Sequence, residues 1–162
     1  MTGEDRAVKA SIEGPLLGQA ADCEPILRSL PQWFEIESAL KQYVKDIDVM
    51  PTFVARSIER VVGFLTIRKH NSVSSEIQVI AVLPHHHRQG IGRALLAQTE
   101  EWLKSDGIEY LQVKTLGSSR PDDNYEKTRQ FYEALGFRPL EEFETLWGEG
   151  LPCLQMVKNL SR

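Results

Sequence analysis

Two spacings of apolar residues divide the chain. Residues 52–57 (TFVARS) and 61–69 (VVGFLTIRK) are dense in β-branched and aromatic side chains, which predicts a hairpin of two strands. Another strand is predicted over 76–83, where Glu76 and Gln78 alternate with Ile77, Val79, Ala81 and Leu83; period two puts the polar pair on one face. From about Gly90 to Ser105 the rhythm changes. Ile91, Leu95, Leu96, Thr99, Trp102 and Leu103 would fall on roughly 140° of a helix surface, with Arg93, Glu100 and Lys104 opposite.

The same reading extends to both sides. Residues 7–14 read as a first strand, and 22–47 as two short helices broken near Pro31. Gly107 stops the Gly90–Ser105 helix, and a fifth strand follows within DGIEYLQVKTL. The short connections make the fourth and fifth strands parallel neighbours with a right-handed crossover. Residues 124–135 predict an amphipathic helix with Thr128, Phe131, Tyr132 and Leu135 on one stripe, Asp123 and Glu126 at capping-box spacing, and Gly136 at its end. Strands over 137–146 and 152–158 close the chain, giving the order β, α, α, β, β, β, α, β, α, β, β. This is an α/β chain with a mixed sheet of about seven strands and about four helices.

Composition narrows the picture. A length of 162 residues predicts a single domain over 1–162, and 41% hydrophobic with 26% charged residues is ordinary for a globular protein. No apolar run approaches the ~20 residues of a membrane span, and MTGEDRAVKA lacks the basic-then-apolar order of a signal peptide, so a cytoplasmic protein without a membrane partner is expected. Cys23 and Cys153 are too few and too far apart for a disulfide framework or a metal knuckle and read as buried thiols. A net charge of −4 argues against a nucleic-acid partner, which would need surplus Lys and Arg.

Candidate chemistry gathers at VIAVLPHHHRQGIGRALL, where a strand runs through a basic, glycine-punctuated turn into a helix. Such a junction aims unpaired backbone N–H groups outward from the positive end of the helix, which suits an anion such as phosphate. A dinucleotide fingerprint would need glycine at position 95, where Leu95 stands, and no Walker A string occurs. What remains is a turn in which Gly90 and Gly92 let the backbone close on a diphosphate, with the N–H groups of about Arg88 to Arg93 converging on it. Three adjacent histidines on a turn point in different directions and do not share a metal, so no metal site is expected.

AVLPHHHRQGIGRALL resembles the acyl-CoA-binding motif of the GNAT superfamily of N-acetyltransferases, [RQ]-x-x-G-x-[GA]. The glycines match at Gly90 and Gly92, whereas His87 stands where the family has Arg or Gln. TRQFYEALGF is similar to the second motif, which ends Y-x-x-x-G-F, here Tyr132, Gly136 and Phe137; Tyr125 occupies a position that is often Asn. The order of elements over residues 50–158 is also similar.

The resemblance implies a GNAT-like fold with a splayed parallel pair of fourth and fifth strands, and acetyl-CoA as cosubstrate. Backbone groups of Ile80, Ala81 and Val82 would pair with the pantetheine arm. An N–H near Val82 would meet the thioester carbonyl, an interaction worth roughly 3 kcal/mol of barrier. His87, Arg88, Gln89, Gly90, Ile91, Gly92 and Arg93 would hold the diphosphate, Arg88 and Arg93 through side chains as well. The acceptor is an amine, of which only about one in 2,500 is neutral at pH 7 if its pKa is about 10.4, a penalty of about 4.6 kcal/mol. Glu76, five residues before Ala81, matches the glutamate that serves as base in lysine-acetylating members. An ordinary glutamate, with pKa about 4.3, suits that task only if burial raises it or a water relays the proton. Tyr132, a phenol protonated at neutral pH, is the candidate donor to the departing thiolate.

In the family the acceptor side lies between the early helices and the last strands, here marked by Trp33, Phe34, Glu35, Glu37, Glu141, Glu142 and Glu144. An acidic, aromatic rim suits a cationic amine, on a small molecule or a protein. A monomer or homodimer is expected. The competing reading is an acyl-CoA-binding module that senses the cofactor without catalysis, and a nucleotide-binding site is the third.

Overall fold

The computed structural model describes residues 10–58 and 60–161. Its elements are β1 (Ser11–Leu16), α1 (Ala20–Arg28), α2 (Glu37–Val49), β2 (Thr52–Ser57), β3 (Arg60–Lys69), β4 (Ser74–Val82), α3 (Ile91–Ser105), β5 (Tyr110–Leu116), α4 (Asp123–Ala134), β6 (Arg138–Phe143) and β7 (Cys153–Asn159). The order matches the sequence reading. A seven-stranded mixed sheet runs β1-β2-β3-β4-β5-β7-β6, with β4 and β5 parallel. The first strand sits later than predicted, and residues 7–9 of its predicted span lie outside the described residues. The described residues gather into two compact units, those up to Ile67 with Gln78–Trp102, and Arg68–Ile77 with those from Leu103 onward.

In the first unit, α1 and α2 supply Cys23, Ile26, Leu27, Leu30, Leu40 and Ile47 to a cluster with Val54, Val61, Phe64, Val79 and Ala81. Arg28 ties the two helices at their exposed edge, its guanidinium reaching Glu24 and both oxygens of Glu37. Those carboxylates hold Arg28 above its ordinary range, chiefly through the Glu37 hydrogen bonds. Val54 pairs with Phe64, while their neighbours Phe53 and Gly63 point the other way, toward α3. There Phe53 meets Trp102 with ring centres 5.6 Å apart. A Cβ on Gly63 would come 3.1 Å from Ile91 Cγ2, 3.2 Å from Val82 Cγ2 and 3.3 Å from the Ala81 carbonyl. The missing side chain thus lets the start of α3 and the end of β4 sit close to β3.

On the α3 stripe Ile91, Leu95, Leu96, Thr99 and Leu103 are buried and Trp102 is half-buried, and the opposite face departs from expectation at one place. Glu100, predicted to face water, is only 9% exposed, because it lies one turn after Leu96 and just under one turn before Leu103, both buried.

In the second unit, β4 and β5 pair over Ser74–Ile77 and Tyr110–Val113, and β7 pairs with all of β5. Among the described residues the β4–β5 ladder ends there, although β4 continues through Gln78–Val82. Met156, Leu111 and Val113 are buried on one face; Ser74, Glu76, Gln112, Lys114 and Gln155 form a polar row on the other, linked in part by Gln155–Gln112–Ser74 hydrogen bonds. The helix α4 does not begin with the Asp123–Glu126 box. Asp122 is the cap, its extended backbone letting its carboxylate accept from the N–H groups of Asn124 and Tyr125. Arg129 donates to the Leu116 carbonyl at 2.6 Å, tying α4 to β5. Gly136, at φ +99°, ends the helix as predicted.

Cys23 and Cys153 are free and fully buried. Burial pushes the Cys23 thiol up to about 12 and the Cys153 thiol up to about 11, with Asp22 adding to the first and Lys114 partly offsetting the second.

Replacing Gly63 by Ala should destabilise the fold by about 1–3 kcal/mol through overpacking against Ile91 and Val82. Urea denaturation of the two proteins checks this; equal midpoints would show that the close approach is not required.

Candidate active site

The predicted anion turn is built from the backbone. After β4, the Leu83 N–H donates to the Val62 carbonyl at 2.8 Å, and Pro84–His86 form a single 3-10 turn. His87 then folds back, its Nε2–H donating to the Val82 carbonyl at 2.7 Å, with the Trp33 ring edge-on at 6.3 Å. The side chain at the motif's divergent position therefore fastens the turn to the end of β4. Arg88 (φ +63°) and Gly90 (φ +80°) both adopt left-handed backbone, which swings successive N–H groups to one side. The Gly90 carbonyl accepts from Ala94, starting α3.

Among the described residues, none of the backbone N–H groups from Arg88 to Arg93 donates to a hydrogen bond. Those of Ile91, Gly92 and Arg93 open α3, where no helical carbonyl precedes them. A Cβ on Gly90 would meet nothing within 4 Å, so the turn is open at its tightest point. His86 Nδ1 and Gln89 Oε1 are also buried without a partner. Arg88 and Arg93 are exposed. A row of unsatisfied donors, two arginines and a helix N-terminus fit a diphosphate.

Ile80, Ala81 and Val82 lie on the stretch of β4 beyond its ladder with β5. Alternation predicted that Glu76 and Gln78 would serve one face together, but they go to different partners. The Gln78 amide donates to Asp46 of α2 at 2.9 Å, because that buried carboxylate needs donors and also takes one from Gln42 at 3.0 Å. Glu76 is only 7% exposed, yet its oxygens are within 3.1 and 3.2 Å of Lys114 Nζ, and Oε1 accepts from His70 Nε2 at 2.7 Å.

Tyr132 is 4% exposed, its ring against Phe131 and Phe137 at 5.5 Å each. Trp33 and Phe34 follow α1 and are half-buried against the α1–α2 cluster, Phe34 with its ring edge-on to Tyr43. The acidic rim loses one member: Glu37 is already occupied by Arg28, which holds its carboxyl below the usual range. Sequence reasoning missed His70 and Lys114. The signal for Lys114 lay in the parallel register, which pairs Glu76 with Gln112 and so puts position 114 one diagonal step from Glu76.

Among the described residues no cluster of His, Cys, Asp and Glu is arranged to hold a metal, and no helix is long and apolar enough to cross a membrane.

An uncharacterized N-acetyltransferase of Chlorobaculum tepidum is 29% identical over 134 residues, 75% of this chain and 79% of that protein. Increased DNA methylation 1 of Arabidopsis thaliana is 29% identical over 99 residues, 61% of this chain; the match spans only 8% of that much longer protein. A GNAT family acetyltransferase from Elizabethkingia anophelis, solved with acetyl-CoA bound, has the same fold, with a TM-score of 0.70 at 18% identity over 93% of this chain and 98% of that one. Residues 50–139, from the start of β2 to the start of β6 and including the whole anion turn, match the acetyltransferase (GNAT) domain, and the chain belongs to that family.

Proposed function

We propose that the protein is an acetyl-CoA-dependent N-acetyltransferase that moves an acetyl group to an amine by direct attack. The observation that carries this reading is the run of N–H groups from Arg88 to Arg93, none of which donates a hydrogen bond among the described residues, in a chain of the GNAT family. When bound, acetyl-CoA supplies an acetyl group activated as a thioester. The Arg88–Arg93 amides grip the diphosphate, and the Arg88 and Arg93 side chains screen its charge. The backbone of Ile80, Ala81 and Val82 orients the pantetheine arm, with the Val82 N–H toward the thioester oxygen. His87 keeps that strand end and the diphosphate turn in one piece.

On the acceptor side, Trp33 and Phe34 offer an aromatic wall for the carbon skeleton of the amine. Removal of the amine's proton runs through Glu76, and the Tyr132 hydroxyl donates a proton to the sulfur as it leaves. The acceptor is a small-molecule or protein amine, and the protein works in the cytoplasm as a monomer or homodimer.

The test is a thiol-release assay with acetyl-CoA and a panel of amines: spermidine, kanamycin, a lysine peptide and a peptide with a free N-terminus. The protein's own thiols stay silent, being buried and protonated at assay pH. Steady CoA release with at least one amine is expected; stabilisation against heating by CoA without any release would mark a binding module instead. Tyr132→Phe should lower kcat at least tenfold while leaving the melting temperature and CoA affinity close to normal, and an unchanged kcat would remove the phenol from the mechanism. Gly90→Ala should weaken CoA binding about tenfold by calorimetry, because the new side chain meets no steric obstacle but disfavours φ +80°. Undiminished affinity would show that the turn does not hold the ligand.

A further inference from the structure

The Glu76 carboxylate has two partners of different kind. Lys114 contributes an ammonium group, and protonating Glu76 would break that ion pair. His70 contributes an imidazole whose Nε2 is 2.7 Å from Oε1. An ionised carboxylate only accepts hydrogen bonds, so Nε2 carries the hydrogen and the lone pair of the neutral ring lies on Nδ1. Nδ1 has no hydrogen-bond partner among the described residues, and 36% of the side chain is exposed.

The ring is held in place from both directions. The turn between β3 and β4 is fixed by Asn71, whose Oδ1 accepts from the N–H groups of Val73 and Ser74, and by the His70 N–H donating to the Ser74 carbonyl at 3.1 Å. The charged and titratable groups around it are Glu76 from β4, Lys114 from β5 and, behind Lys114, the Cys153 thiol of β7. Lys69, the preceding residue, is engaged with Asp106 at 2.6 Å. A carboxylate that fixes the tautomer of a partly exposed imidazole is the arrangement by which enzymes orient a histidine base.

Resting on the N-acetyltransferase reading, the geometry points to His70 as the group that receives the acceptor amine's proton, with Glu76 orienting the ring rather than keeping the proton itself. A chain of waters along β4 passes one proton to Nδ1 and takes one from the amine nitrogen. The resulting imidazolium keeps its Nε2–H on Glu76, whose charge stabilises it, and then releases the Nδ1 proton to bulk water. Because His70 acts on the amine through that chain of waters, it is a positioning and relay residue.

The experiment uses whichever amine of the panel the wild-type protein acetylates fastest. His70→Ala should lower kcat at pH 7 at least tenfold with KM for acetyl-CoA within twofold, and should remove the acid limb from the kcat–pH profile. Imidazole added to the buffer should restore part of the rate in His70→Ala and none in Glu76→Gln, which keeps the ring but loses the anion. Independently of any variant, ¹⁵N spectra of histidine-labelled wild-type protein should show His70 with its hydrogen on Nε2. If the wild type turns over an amine while His70→Ala keeps its kcat and pH profile, or if the hydrogen lies on Nδ1, the role of His70 is overturned and the acetyltransferase reading stands. If the wild type releases no CoA with any amine, that reading falls, and His70's part with it.

Discussion

A backbone amide that finds no carbonyl must find something else, and among the described residues six consecutive amides, three in the turn after β4 and three opening α3, are in that position. Much of the first unit can be read as the means of holding them there. Gly63 lets Ile91 and Val82 approach β3, Arg88 and Gly90 take left-handed backbone that aims the N–H groups one way, and His87 pins the turn to the Val82 carbonyl. A packed scaffold supplies the rigidity, because an anion is held best by dipoles that need not reorganise. The Val54–Phe64 face with α1 and α2 and the Phe53–Trp102 face with α3 provide it.

The second unit carries groups of another kind. Its ladders place Ser74, Glu76, Gln112, Lys114 and Gln155 on one polar face, and a buried carboxylate survives there because an ammonium and an imidazole both satisfy it. Strand β4 contributes to both units: its first part bears Glu76, its last part Ile80 to Val82. On the proposed reading, one strand therefore carries both the carboxylate that orients His70 and the amide that faces the thioester.

The elements were legible because their apolar spacings are strong, and the turn between β4 and α3 because glycines at 90 and 92 at a strand–helix junction favour a tight change of direction. What escaped was side-chain partnership at longer range. Alternation put Glu76 and Gln78 together, yet a buried aspartate on α2 drew Gln78 away, and only the folded chain shows Asp46 there. The α4 cap moved from Asp123 to Asp122 because two adjacent acids have nearly the same local signal, and the choice is made by backbone angles. Glu37 looked like an unoccupied acid until α1 brought Arg28 beside it. His87, expected at the diphosphate, also serves the backbone of its own turn, a role that no motif spacing encodes.

The two sulfhydryls have a kinetic meaning as well as a packing one. A thioester beside a nucleophilic thiolate invites transthioesterification, the route by which some acyltransferases park their cargo on the enzyme. With both sulfur atoms sealed in the interior and protonated, that detour is closed, so on the proposed reading donor and acceptor would have to be bound at the same time.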